Sequence, residues 1–411
     1  MSFNLSPGPV AAASDDFPMD GLPLPFLREL INDNGGESAF EDMTTSNVKR
    51  SIIVPLTQAT KLSLCAQLKQ AGDARVQPAT WFVSHAWQMK FSDLVKALEL
   101  FFADEPGAVI WLDLFSTSQH STFDKPPEWW QQTFCAAIGR MGQMVMVMTP
   151  WDNPVALTRA WCLIELYACR SSGSSFGVAL PPSERARFLA DIVKDPSEFH
   201  TMLSRVNTAN SECSREPDRQ RIFAAVRGLD GGFTALDRGV LKTMTEWLEL
   251  QLRAHMHEAA ADGRKDMECL AMNALGQILQ MNGEYDRAQL LHEECVEMRK
   301  RILGDDHPNT LLSLNNLADI FRIKGEYDRA QSLFEECVEK RKRILGSDHP
   351  DTMWTHNSLA FTFFLKGECA RALPLFETIL AQAKAVLGHN HPHIQVFQTR
   401  RDNCALKLAS V

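Results

Sequence analysis

The chain has 411 residues, 45% hydrophobic and 23% charged, with a formal net charge of −9. This length exceeds one ordinary core and implies two or three domains. The acidic balance argues against a nucleic-acid footprint, and no run of about 18 apolar residues is present to span a bilayer.

The first residues carry neither a basic segment nor an apolar one, and two acids come early, which speaks against a secretory signal. Ten cysteines occur without CxxC pairs or a framework-like spacing, so they read as reduced core residues and a cytoplasmic location is expected. Residues 1–24, rich in Pro, Ser, Ala and Gly, offer little to bury and are expected to form a disordered tail. A helical lead-in is expected over 25–77, with apolar spacing at Leu27, Leu30 and Ile31 and helix-start residues at Thr45 and Ser46.

From 78 to 182 short apolar runs at 80–84, 109–114, 144–148 and 176–180 alternate with amphipathic segments at 92–103, 128–141 and 158–171. Such alternation predicts an α/β domain with a parallel sheet covered on both faces. Seven of the nine tryptophans fall between Trp81 and Trp161. Residues 183–260 read as a helical connector, broken at Gly228–Gly232.

The remainder is repetitive. Gly283, Gly325 and Gly367 are 42 residues apart, as are Gly304, Gly346 and Gly388, and His307, His349 and His391. Between Gly283–Thr310 and Gly325–Thr352, 23 of 28 positions are identical. A fixed period of this size predicts a stacked all-α array that presents a binding surface. Each unit holds two helices, with small residues where they approach (Gly276 and Ala288, Ala318 and Ala330, Ala360 and Ala372). This pattern resembles the tetratricopeptide repeat, and the LGxxHP linker resembles the kinesin light chain variety, over 266–409 in three units. The resemblance implies a right-handed solenoid whose first helices line a peptide-binding groove. In that register Asn273, Asn315 and Asn357 take one equivalent groove position, flanked by Gln277, Asp319 and Arg322, with Phe361 as an apolar anchor. The long heptad region that would pair with a motor heavy chain has no counterpart here. No metal site is expected: His391 is the repeat's own linker residue, which accounts for the run His389, His391, His393, and His255 and His257 lie on different helix faces.

In the α/β block, Phe82-Val83-Ser84-His85-Ala86-Trp87, Trp111-Leu112-Asp113-Leu114 and Trp161-Cys162-Leu163-Ile164-Glu165-Leu166 resemble the successive boxes of TIR domains. The resemblance covers about 100 residues, and its first box is a divergent Ser-His-Ala-Trp variant. It implies a flavodoxin-like sheet with a functional edge at the strand C-terminal ends. Glu165 matches the glutamate on which NAD-cleaving members depend; a carboxylate there can stabilise the positive charge that builds on the ribose as nicotinamide leaves. Ser84, His85 and Asp113 would share that edge, Trp161 would stand one turn from Glu165, and Trp87 or Trp151 could stack on a flat ring. Ser84 and His85 are strand neighbours pointing to opposite faces and do not form a nucleophile–base pair, and no Gly-rich phosphate loop is present.

Two readings follow. One is a cytosolic signalling scaffold, in which the repeats recruit a protein or peptide and the TIR-like domain mediates association, with self-association among its forms. The other is an NAD+ glycohydrolase governed by assembly through the repeats. Neither nucleic acid nor membrane is expected as a partner, and NAD+ enters only as a substrate.

Overall fold

The computed structural model describes residues 17–120, 135–213 and 215–409. The chain divides into two compact units, one formed by 1–192 with 197–248 and the other by 193–196 with 249–411.

The first unit is built on a small mixed sheet. Its strands are β1 (Asp20–Pro23), β2 (Gln77–Pro78), β3 (Trp81–Ser84), β4 (Val109–Trp111), β5 (Gln143–Val147) and β6 (Ser175–Ala179), in the spatial order β2-β1-β4-β3-β5-β6. Strands β4, β3, β5 and β6 run parallel, while β1 is antiparallel to β2 and β4. Every residue of β3 and β4 is buried, as expected for parallel strands covered on both faces. The parallel strands are joined by α1 (Phe91–Phe101) between β3 and β4, α2 (Cys135–Met141) before β5, and α3 (Ala160–Ser171) between β5 and β6. The part of the expected 128–141 helix before 135 lies outside the described residues, as does most of the expected tail.

Three boundaries differ from the sequence reading. The tail was expected to run to residue 24, but its last residues form β1, because Leu22 pairs with Ile110 and is fully buried. Phe17 stacks on Trp111 with ring centroids 5.1 Å apart. The lead-in is not a separate helical segment either: it supplies β2, and Phe26, Leu27, Ile31, Phe40 and Val48 join Val83, Val145 and Val147 in one core. A lone amphipathic helix buries its stripe against the nearest apolar layer, here the sheet. The connector divides likewise, most of it belonging to the first unit.

In the second unit, seven helices follow one another among the described residues: α4 (Lys265–Met281), α5 (Tyr285–Leu303), α6 (Pro308–Ile323), α7 (Tyr327–Leu345), α8 (Pro350–Leu365), α9 (Cys369–Leu387) and α10 (Pro392–Ala409). The sequence explains each punctuation. His307 and His349 sit at helix N-caps, where Nδ1 accepts from the backbone N–H two residues on at 3.2 Å, and the following Pro occupies the first helical turn, where no donor is needed. Gly304, Gly346 and Gly388 end the preceding helices at φ 89°, 90° and 82°, a backbone region that favours glycine. Ala318, Ala330, Ala360 and Ala372 are fully buried where paired helices meet. Arg299 and Arg341, 42 residues apart, are buried as well. Arg341 donates to Asp351 O at 2.8 Å and Thr355 Oγ1 at 2.5 Å, and Arg299 donates to Asn309 O at 2.8 Å and Ser313 Oγ at 2.7 Å. Each guanidinium thereby ties a second helix to the next first helix.

Candidate functional site

Glu165 lies on α3, one turn beyond Trp161, and accepts a 2.5 Å hydrogen bond from Ser84 Oγ at the C-terminal end of β3. The next residue, His85, is buried, with its Nδ1 3.8 Å from Asp113 Oδ1, too long for a hydrogen bond. Asp113 opens the helical turn after β4 and accepts from Trp87 Nε1 at 2.7 Å. Three strand-edge segments far apart in sequence thus converge. Glu165, Asp113, His85, Trp87 and Trp161 line a cavity of about 620 Å³, within the range of small-molecule sites.

Burial pushes the Glu165 carboxyl up to about 8; the Ser84 hydrogen bond opposes this and the nearby Asp113 charge adds to it. Asp113 is also raised, chiefly by burial, against the pull of His85 and the Trp87 indole, although about a third of its side chain (32%) opens to the cavity. Burial lowers His85, which favours the neutral ring. Asp113 Oδ1 and His85 Nε2 are buried and make no hydrogen bond.

Five of the expected site residues therefore meet at the cavity, and Ser84 reaches it through Glu165. Trp151 does not. Its ring is 1% exposed and packs on Phe188 at 5.3 Å, while its indole N–H faces Asp191 at 3.3 Å, so it is a core residue of the region after β5.

The sequence reading missed the cavity's cations. Ser46 N donates to Trp87 O and Thr45 N to Met89 O, both at 3.1 Å, which lays the lead-in along the loop after β3 and carries Lys49 and Arg50 to the cavity. Glu212 bonds to Thr158 O at 2.8 Å and Ala160 N to Glu212 O at 2.9 Å, so the connector brings Arg215 and Asp218 to the same cavity beside Arg159. No local motif marks these residues; only the fold joins them to the edge.

The repeat residues behave differently from expectation. Asn273, Asn315 and Asn357 are 6%, 4% and 0% exposed, so their amides are not free for a peptide. Asn273 Oδ1 accepts from Asn316 Nδ2 at 2.8 Å, Asn315 Oδ1 from Thr355 Oγ1 at 3.1 Å, and Asn357 Oδ1 from Arg400 Nη1 at 2.5 Å. The asparagines link successive first helices. A buried amide oxygen without a partner would cost about 1–3 kcal/mol, and the next first helix supplies each oxygen's donor, while Asn357 Nδ2 is buried without an acceptor. The more open residues are Gln277, the ion pair of Asp319 with Arg322 at 2.8 Å, and half-buried Phe361, whose ring lies 5.3 Å from the Arg322 guanidinium and 4.4 Å from that of Arg400. Among the described residues no cluster of His, Cys, Asp and Glu could hold a metal, and no helix is long and apolar enough to cross a membrane.

Comparison with known proteins bears on the second unit. The tetratricopeptide repeat family matches residues 266–343 and 317–385. Among solved structures, the chain is similar to a variant of a Podosopora anserina protein titled as a putative kinesin light chain with nearly identical TPR-like repeats (22% identity, TM-score 0.37, 42% of this chain and 82% of that one). It is also similar to BtubC (BKLC) from P. vanneervenii, with 17% identity, a TM-score of 0.39, and coverage of 55% of this chain and 84% of that one. No curated protein matches the chain. Residues 266–385 are tetratricopeptide repeats, an architecture that suggests a protein-interaction scaffold.

Proposed function

We propose that the chain is a cytosolic signalling scaffold, in which the first helices of the repeats capture a protein or peptide and the α/β unit mediates association, self-association included. The observation that carries it is the repeat surface on α6, α8 and α10. There the Asp319–Arg322 pair, Phe361 and Arg400 lie side by side while the asparagines behind them hold the helices together. An aromatic ring between two guanidiniums is a fitting anchor for a peptide side chain. The test is selection from a displayed peptide library on the full chain, followed by affinity measurement. Phe361→Ala with Arg322→Gln should weaken a selected peptide about tenfold or more, measured at a temperature where the variant's helical signal matches wild type. Unchanged affinity would remove this surface from the proposal.

The geometry around Glu165 favours a second reading, NAD+ cleavage by a TIR-like domain. The parallel strands, numbered among themselves, stand in the order second, first, third, fourth, which supports the flavodoxin-like reading. Glu165 and Trp161 share one cavity with Asp113. In this chemistry the bond from ribose C1′ to nicotinamide breaks with its electron pair leaving on nicotinamide, water bonds to C1′, and a proton passes to solvent. Ionised Glu165 would stabilise the cationic ribose. Nicotinamide release by wild type and its loss in Glu165→Gln is the expected result; no release at high protein concentration sinks this reading.

A further inference from the structure

We propose that the first repeat holds a soft monovalent cation, Cu(I), between α4 and α5, on the thiols of Cys269 and Cys295 and the thioethers of Met272 and Met298. The inference depends neither on peptide capture nor on the cavity of the α/β unit. Three observations carry it. First, Cys269, Met272 and Cys295 are buried in one cluster, Met256 and Met298 pack against it, and every member carries sulfur. The neighbouring cluster around Phe334 is built instead from Leu314, Leu317, Phe321 and other apolar side chains, without a methionine among the described residues. Methionine fills gaps in any core, but a cluster of sulfur alone is a soft-ligand environment.

Second, the four ligands form two Cys-x-x-Met pairs on paired helices. Cys269 and Met272 are three residues apart on α4, and Cys295 and Met298 are three apart on α5, so each pair shares a helix face. The Cys295 thiol donates to Cys269 O at 3.3 Å, which sets the two pairs against each other. The second copy keeps Cys337 but has Leu311, Leu314 and Lys340 at the other three places. Packing of the repeat therefore does not require this sulfur. Within the stretch where 23 of 28 residues are identical, Met298 is one of the few that change.

Third, the surroundings suit a bound ion. Arg299 is buried and donates to Ser313 Oγ at 2.7 Å, and that hydroxyl lies 3.3 Å from Cys295 Sγ. Each thiol that ligates gives its proton to solvent. Two thiolates on Cu(I) leave one negative charge, which the nearby guanidinium offsets. Met256 and Met298 are half-buried and place thioethers between solvent and the thiols. With two thiols and no third His, Cys, Asp or Glu among the described residues, the group does not suit zinc; thioethers beside thiolates suit Cu(I). The expectation of no metal site rests on histidine and cysteine spacing and takes no account of thioethers.

The test is anaerobic titration of the reduced full chain with Cu(I) supplied as its bicinchoninate complex, whose colour fades as copper is withdrawn. Wild type should withdraw about one Cu(I) per chain. Met272→Leu with Met298→Leu conserves volume, so the helical signal should match wild type while Cu(I) binding weakens at least about tenfold. Cys295→Ala should weaken it by about a hundredfold. Cys404→Ala is the control: its thiol donates to Cys369 O at 3.7 Å in a cluster without methionine, and Cu(I) binding should be unchanged. No withdrawal of copper by wild type, an unaltered affinity in the double methionine variant or in Cys295→Ala, or an equal loss in Cys404→Ala each overturns the proposal.

Discussion

At the residue scale, Glu165 is the most consequential side chain. Its folded carboxyl keeps a proton up to about pH 8, against an ordinary value of 4.5. Between those values the folded state binds more protons than the unfolded one, so this group's contribution to stability is lost as pH rises through the window. Glu165→Gln removes that dependence. Relative to the variant, wild type should lose up to about 1.4 kcal/mol per pH unit from pH 5 to 8, read from denaturant midpoints. Parallel pH profiles would contradict the raised Glu165 carboxyl. If the ionised form acts on NAD+, nicotinamide release should climb about tenfold per unit below pH 8 and level off above it. The sequence made Glu165, Ser84 and Asp113 legible because each sits in a short motif at a strand or helix end. It misplaced the role of Asn315, whose register is kept equally by a groove contact and by a bond to the next helix. Only burial separates the two.

At the element scale, the repeats show why a period is easy to read and its purpose is not. Pairing of small residues, the Gly turn and the His-Pro start all follow from local chemistry. The inter-repeat bonds of Arg299 and Arg341 involve partners 10 and 14 residues away in the next helix, and no pattern within one helix announces them. Arg341→Ala leaves Asp351 O and Thr355 Oγ1 without this donor and should cost about 2–4 kcal/mol, measured by urea unfolding; a change below about 0.5 kcal/mol would contradict the tie. The first repeat carries a second check. A Cβ on Gly276 would come within 2.7 Å of the His292 ring, where later repeats place Ala318 and Ala360. Gly276→Ala should therefore destabilise by about 1–3 kcal/mol, and His292→Ala in the same chain should recover part of that loss, giving a favourable coupling in a double-mutant cycle.

At the scale of the whole molecule, strand–helix alternation and a 42-residue repeat made the two fold classes legible, but not the boundaries. The lead-in and most of the connector look helical by periodicity, yet β1, β2 and the core around Phe26 and Phe40 make them part of the α/β unit. Long-range pairing of two short strands leaves almost no local signal. That same assembly creates the cationic wall of the cavity, which is why the candidate ligand site was half visible in the sequence. On the proposed scaffold reading, partners land on the first helices of the repeats. Amide hydrogen exchange of the full chain, with and without a library-selected peptide, locates that landing site. Added protection should appear on α6, α8 and α10, centred on Arg322, Phe361 and Arg400; protection confined to α5, α7 and α9, or none in the repeats, would overturn the scaffold reading.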